Sequence, residues 1–319
     1  MPQEQSTLAY PNLARLAQRV YPNEPRKRLR FVLRSWFYAD VMRRWLDYLS
    51  HAPELQRALA AHPWLIDRLH RPFLKANLTR AQRLAALSDH YAICRQIGWM
   101  PLFDALADKA LRLACIQGRT REFWLDLTYT SRFGKEGEWT LHLAVENRRI
   151  YSAAFSFQDP AHPYLFIGCI QGPSGDGARD EVREITRDLH DARPRDLMLE
   201  TIRQIAIRAG MDRVGIVRTR EHVYRHPRSR FKKRNTKTAW KFDYDQWAQE
   251  LEATATDRCW IIPAQGRHRD IDSLPSKKRA AARRRDAQRN AIRAQLQHAL
   301  GEIIQPSPRD ASPAAQRAD

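Results

Sequence analysis

The sequence predicts an α+β fold: an N-terminal helical region, then a mostly antiparallel sheet flanked by helices, and finally a long C-terminal helix. Three changes of pattern support this. Apolar residues recur every three to four positions across residues 29–116, alternate strictly from Glu122 onward, and return to helical spacing across residues 276–303. Four alternating segments joined by short turns, between residues 122 and 170, indicate an antiparallel meander.

The same patterns divide the chain. Thr79 suits the N-cap of a helix that carries Leu84, Leu87 and Tyr91. We expect a loose segment over 1–25, a helical region over 26–117, an α/β domain over 118–304, and a disordered tail over 305–319. Within the α/β domain we expect strands at 122–129, 139–145, 150–157, 164–170, 213–217 and 259–262, and helices at 178–190, 196–209, 243–251 and 276–303.

Positive charge is concentrated in two segments. The chain of 319 residues has a net charge of +19. A basic insert at 218–241 carries +9 of it, and residues 267–293, which open the C-terminal basic helix, carry +7. Such concentration favours a polyanionic partner, namely nucleic acid, acidic lipid or a phosphorylated ligand. The alternative is a solvated basic loop.

Cysteine usage and hydropathy limit the location. Cys94, Cys115, Cys169 and Cys259 are widely spaced among apolar neighbours, which favours buried free thiols in a reducing compartment. No apolar run is long enough for a transmembrane segment, and the N-terminus lacks the features of a signal peptide. The chain also lacks a ligand spacing typical of metal sites, so we predict none.

The most informative local pattern is an apolar strand that ends in Gln171-Gly172-Pro173, followed by a helix that begins beside Arg193-Pro194-Arg195. Proline fits the first position of a helix, and two guanidinium groups at a helix N-terminus suit a phosphate or pyrophosphate. We therefore predict ligand binding by Gln171, Gly172, Arg193 and Arg195. The alternatives are a flexible turn and a surface Arg–Asp pair.

Two further positions complete the predicted site. His190 lies immediately before the arginines, and Tyr224 lies in a segment that mixes aromatic and basic residues, so either is a candidate acid/base. Ser276, Lys277 and Lys278 begin the last helix, with Ser276 as its expected N-cap. Cations at a helix N-terminus are unfavourable without an anion, so these three are predicted ligand-binding residues.

Several separated motifs resemble the VirK/YbjX family of Gram-negative bacteria. They occupy residues 150–157, 167–173, 189–197, 243–247 and 274–279. The resemblance spans about residues 28–290 and implies a link to virulence, envelope integrity and resistance to cationic antimicrobial peptides, without an established reaction. From the free thiols and the N-terminus, together with this resemblance, we expect a cytoplasmic location, with peripheral attachment to the inner membrane as an alternative.

The order of elements is also similar to the layout of Gcn5-related acyltransferases, although this chain has an extra helix and lacks the usual glycine loop. That layout suggests a transferase that uses a coenzyme A-type or aminoacyl-tRNA donor. Arg193 and Arg195 would hold phosphates, and His190 or Tyr224 would act as acid/base. The alternative is a non-enzymatic binding protein for acidic lipid or nucleic acid.

Overall fold

The computed structural model describes residues 12–146, 148–226, 242–266 and 275–304. In these ranges the helices are α1 (Leu13–Val20), α2 (Pro25–Phe37), α3 (Ala39–Ser50), α4 (Gln56–Ala61), α5 (Arg80–Gln96), α6 (Pro101–Ala105), α7 (Ala178–Asp188), α8 (Pro194–Arg208), α9 (Tyr244–Glu250) and α10 (Ser276–Gly301). The strands are β1 (Leu111–Gln117), β2 (Glu122–Thr128), β3 (Trp139–Val145), β4 (Arg148–Gln158), β5 (Tyr164–Gln171), β6 (Arg213–Ile216), β7 (Thr254–Ala255) and β8 (Trp260–Pro263). This arrangement confirms the predicted α+β class.

Two predicted boundaries of the N-terminal half were wrong. The segment expected to be loose contains α1, which buries Leu13, Leu16 and Ala17 at helical spacing. The helical region ends at α6 rather than at residue 117, since Leu111–Gln117 forms β1. A seven-residue apolar run fits a helix or a strand equally well, so only pairing with β2 decides its conformation. The capping box at Thr79 and Gln82 confirms the predicted start of α5.

The sheet has the strand order β1-β2-β3-β4-β5-β6-β8-β7 among the described residues. The four predicted meander strands are β2 to β5, and β1 extends them by one antiparallel partner. β5 and β6 form the parallel pair of this sheet. Every residue of β3 is buried, so helices and loops cover both faces of the sheet at its centre.

The parallel pair requires a crossover, which α7 and α8 supply. α8 packs against β3 to β6 and buries Leu197, Ile202 and Ile205. β5 and β6 pair over only three residues, Leu165 to Ile167 against Val214 to Ile216. Beyond Ile167 the backbone of β5 is therefore available to another element.

The long C-terminal helix α10 packs against β1 and α8. Leu296 and Leu300 are fully buried, while the side chain of Gln295 bonds the backbone of Cys115, accepting from its N–H at 2.8 Å and donating to its C=O at 3.0 Å. β1 is an edge strand whose free backbone groups invite pairing with other chains. α10 therefore covers part of an edge that would otherwise be exposed.

A buried ion pair joins the helical region to the sheet. Arg68 donates to Glu138 and also to the carbonyl of Gly137 at 3.1 Å. The other oxygen of Glu138 accepts from the hydroxyls of Tyr91 and Tyr129, each at 3.0 Å. Burial raises the pKa of both phenols well above the usual value, so both remain donors at neutral pH.

We predict that Arg68→Met destabilises the protein by about 3–5 kcal/mol, because the buried carboxylate of Glu138 would lose its cation. Arg68→Met/Glu138→Gln should recover at least half of that loss, since the amide oxygen still accepts from the two tyrosines. Urea unfolding followed by circular dichroism measures both. Arg57→Met, which breaks an exposed pair with Asp104 and Asp108, is the matched control. A loss for Arg68→Met no larger than that control contradicts the prediction.

Candidate functional site

The turn between α7 and α8 holds two consecutive residues in the left-handed conformation. His190 has φ 55° and Asp191 has φ 65°. Such angles are strained in residues other than glycine and persist only where neighbouring contacts impose them. Here the N–H of Asp191 donates to the carbonyl of Thr186 at 2.8 Å, and its carboxylate accepts from Arg119 at 2.9 Å. The position of His190 is therefore set by its surroundings.

Asp188, at the end of α7, fixes this turn to the loop between β1 and β2. Its carboxylate accepts from the Arg121 guanidinium at 2.6 Å, and from the Thr120 N–H and hydroxyl at 2.8 and 3.0 Å. Burial opposes ionisation of Asp188, but these bonds outweigh it and lower its pKa to about 2. The anchor thus stays charged at any ordinary pH.

Two neighbouring cavities lie beneath α10 beside this turn. The first has a volume of about 350 Å³ and is bounded by β1 at Cys115 to Gln117, by His190, and by α10. Small residues of α10, Ala287 and Ala291, form its roof. His190, predicted as an acid/base, is half-buried and lines this cavity.

The second cavity, here called the arginine cavity, has a volume of about 440 Å³. It lies between α8 and α10, and its lining includes Arg193, Arg203, Arg285 and Arg289 together with Asp191, Asp196, Glu200, Leu197, Leu251 and Ala282. Several of its charges are paired, Asp191 with Arg119 and Arg289 with Asp286. Arg193 and Arg285 form no ion pair with any residue in the described ranges.

The two predicted arginines have different surroundings. Arg193 is exposed at the N-cap of α8 and faces the arginine cavity. Arg195 instead donates to Glu250 of α9 at 3.2 Å, and its guanidinium lies 5.9 Å from the ring centre of Phe242 and 5.7 Å from that of Trp247. Arg195 therefore joins α8 to α9, which leaves Arg193 as the arginine of this pair that a ligand can reach.

Three other predicted ligand-binding residues, Gln171, Gly172 and Ser276, do not line that cavity. Gln171 is exposed at the end of β5, and Gly172 lies so close to the ring of Tyr151 that a Cβ atom would overlap it. The expected N-cap role of Ser276 was wrong: the extended Pro275 is the N-cap, and α10 begins at Ser276. The side chains of Lys277 and Lys278 lie outside the described residues, as do 227–241 of the basic insert and the tail from 305.

Tyr224 belongs to a separate buried cluster. Its hydroxyl bonds the carboxylate of Glu136, whose pKa burial raises to about 7. The buried ring of His222 stacks on Tyr244 with centroids 5.4 Å apart. Neither cavity beneath α10 includes a residue of this cluster. The two predicted acid/base residues, His190 and Tyr224, therefore line different parts of the molecule.

Tyr244 fills the space where β5 and β6 stop pairing. Its hydroxyl accepts from the N–H of Ile170 at 2.9 Å and lies 3.3 Å from the carbonyl of the same residue. Sequence reasoning identified the motif around Tyr244 but not this contact. Only the topology brings α9 to that edge of β5.

Comparison with known proteins defines the class of the chain. Residues 22–298 match the family described as protein of unknown function DUF535. The chain belongs to this family. It is 32% identical over 275 residues to the uncharacterized protein YbjX of Escherichia coli K12, which covers 84% of this chain and 82% of YbjX. The predicted membership in the VirK/YbjX family is thereby confirmed.

Two other similarities are more distant. The membrane protein LapB of Mannheimia haemolytica is 29% identical over 197 residues, covering 59% of this chain and 84% of LapB. A variant of a cAMP-binding acyltransferase from Mycobacterium smegmatis aligns in structure with a TM-score of 0.30 and 10% identity, covering 75% of this chain and 66% of the other. In the described ranges, none of the helices combines the length and the apolar character needed to cross a bilayer.

We predict that Glu136→Gln stabilises the protein at high pH. The folded-state pKa, about 7, lies above the ordinary 4.5, so the unfolded chain ionises first as pH rises. The resulting destabilisation is absent below pH 4.5, grows between pH 4.5 and about 7, and reaches up to about 3 kcal/mol above that. Urea unfolding from pH 4.5 to 8 measures it, with the exposed Glu302→Gln as control. Parallel curves for wild type and Glu136→Gln contradict the prediction.

Proposed function

We propose that this protein binds a phosphate-bearing amphiphile, of the acidic phospholipid type, in the arginine cavity. The observation that carries the proposal is the convergence of Arg193 from α8 and Arg285 from α10 on one cavity, without an ion pair to the described residues. Two guanidinium groups from different helices can hold the two oxygens of one phosphate.

Three further features of the cavity suit the proposed ligand. Arg193 precedes Pro194 at the start of α8, where backbone N–H groups and the helix dipole also favour an anion. Leu197, Leu251 and Ala282 provide apolar contact beside the cations, as a lipid with both a headgroup and acyl chains requires. The volume of about 440 Å³ lies in the range of small-molecule sites.

The family supports a ligand of the cell envelope. One relative is named a membrane protein, and the VirK/YbjX resemblance implies a link to envelope integrity and to resistance against cationic peptides. A protein that binds acidic envelope lipid would act on the same molecules that attract such peptides. The proposed location is the cytoplasmic face of the inner membrane.

We predict that Arg193→Ala/Arg285→Ala weakens binding of dihexanoyl phosphatidylglycerol by more than tenfold, because each guanidinium hydrogen bond to a charged group contributes about 1.5–3 kcal/mol. Isothermal titration calorimetry of the full chain measures it. Arg183→Ala/Arg187→Ala, on the exposed face of α7, removes the same charge elsewhere. The proposal is contradicted if both double variants lose the same affinity. It is also contradicted if wild type binds dihexanoyl phosphatidylcholine, or inorganic phosphate alone, as tightly as dihexanoyl phosphatidylglycerol.

A second candidate function is transfer from a coenzyme A-type or aminoacyl-tRNA donor. It is favoured by the parallel pair β5–β6, whose crossover contains the strained turn at His190. In this proposal Arg193 holds donor phosphates, the basic segments bind a nucleic-acid carrier, and His190 or Tyr224 moves a proton. Tyr244, which fills the opening between β5 and β6, must then move aside or leave the donor another route.

Binding of coenzyme A tests this second candidate function. If the protein is a transferase of this kind, coenzyme A should raise the melting temperature, and Arg193→Ala/Arg195→Ala should abolish the rise. Thermal unfolding with and without ligand measures it, and Arg183→Ala/Arg187→Ala is again the control. No rise with coenzyme A, or a rise that the double variant retains, contradicts this candidate for a coenzyme A donor.

A further inference from the structure

α2 exposes a stripe of large apolar side chains to solvent. Leu29 is 62% exposed, Leu33 47%, Trp36 67% and Phe37 70%. Leu29, Leu33 and Trp36 recur at i, i+4 and i+7, so they lie in one row along the helix, and Phe37 continues beside them. Soluble proteins seldom leave such a contiguous patch uncovered unless it binds something.

The opposite face of α2 is already used by the fold. Phe31 and Ser35 are buried, the Ser35 hydroxyl lies 2.9 Å from Nε2 of His70, and Phe31 meets the His70 ring edge-on at 5.4 Å. Arg28 donates to the carbonyls of Tyr21 and Pro22. α2 is thus held against the protein by one side, and its apolar stripe faces outward as a fixed surface.

The charged side chains of α2 itself are all positive. The 13 residues of α2 include Arg26, Lys27, Arg28, Arg30 and Arg34 and no carboxylate. Arg26 and Arg30 are exposed and lie in the row next to Leu29 and Leu33. α2 thus has an apolar stripe, aromatic residues at its end and cationic flanks. These features are typical of an amphipathic helix that lies in a bilayer interface.

We propose that α2 docks this protein on an anionic lipid bilayer, lying parallel to the surface with Leu29, Leu33, Trp36 and Phe37 inserted at the boundary of headgroups and acyl chains. The helix is about 20 Å long. The aliphatic side chains bury apolar area, and Arg26 and Arg30 remain among anionic headgroups. This surface is separate in residues from the arginine cavity, so each can fail without the other.

Two other occupants fit the surface less well. A symmetric dimer through α2 would place the same arginines opposite their own copies, with no carboxylate on either helix to neutralise them. A nucleic acid would use the cations and could stack on Trp36, but it offers nothing apolar to Leu29 and Leu33. An anionic bilayer, in contrast, can contact both the cations and the apolar side chains of α2.

The test is partition of the full chain onto vesicles of phosphatidylcholine with and without about 30% phosphatidylglycerol, measured by sedimentation. Because the basic segments elsewhere also attract anionic lipid, the decisive variant keeps every charge. We expect Leu29→Ser/Trp36→Ser to lower the partition coefficient more than tenfold, and the loss to persist at about 0.5 M salt, where surface charge is screened.

The charges of α2 are tested separately. Arg26→Gln/Arg30→Gln should lower partition onto anionic vesicles by roughly tenfold or more, since each cation near the surface contributes about fivefold. Arg183→Gln/Arg187→Gln, two exposed arginines with the same spacing on α7, is the matched control and should lower it less than threefold. Leu29→Ser/Trp36→Ser should leave the affinity of the full chain for dihexanoyl phosphatidylglycerol in calorimetry within twofold of wild type, which separates docking by α2 from binding in the arginine cavity.

Depth of insertion gives an independent readout. Acyl chains that carry bromine should quench part of the tryptophan fluorescence of wild type, and Trp36→Phe should abolish that part while partition stays within threefold. Quenching that Trp36→Phe retains, or a Leu29→Ser/Trp36→Ser variant that partitions like wild type, overturns the proposal. So does a dimer in light scattering that the same double variant converts to monomer without any effect on vesicle binding.

Discussion

The pair of Arg68 and Glu138 is the constraint on which the architecture depends. A carboxylate buried at the start of β3 is costly without a partner, and the helical region supplies the cation that compensates it. Trp64 and Phe73 cover the guanidinium at 4.9 and 4.8 Å from their ring centres, which excludes water from it. The helical region and the sheet are therefore parts of one folded unit, whatever boundaries the sequence pattern suggests.

α10 covers the β1 edge of the sheet, and its position against β1 explains the two cavities. Ile292, Leu296 and Leu300 are buried, whereas residues 284–291 of the same helix form the roof of both cavities. Short side chains such as Ala287 and Ala291 leave space above β1 that longer ones would fill. A helix anchored at its C-terminal half and spaced from the sheet at its N-terminal half creates room beside the turn of His190.

Sequence reasoning succeeded where a pattern is local. Strict alternation predicted β2 to β5, and helical spacing predicted α7, α8 and α10 within a few residues. It could not predict that Arg193 and Arg195 separate, because Glu250, Phe242 and Trp247, which hold Arg195, come from some fifty residues away. For the same reason it missed Glu136, which lies in a turn between two strands and owes its environment to distant residues such as Tyr224.

α2 shows most clearly what a sequence pattern cannot predict. Its spacing of Leu29, Leu33 and Trp36 is typical of a helix that buries those residues, yet the structure buries Phe31 and Ser35 instead. Periodicity identifies an apolar face but does not say whether protein or something else covers it. The charge pattern alone also does not single out this helix, because Arg26–Arg28 is only a short run and Arg30 and Arg34 are interleaved with apolar residues. That interleaving, rather than the net charge of +19, distinguishes a surface suited to lipid from one suited only to a polyanion.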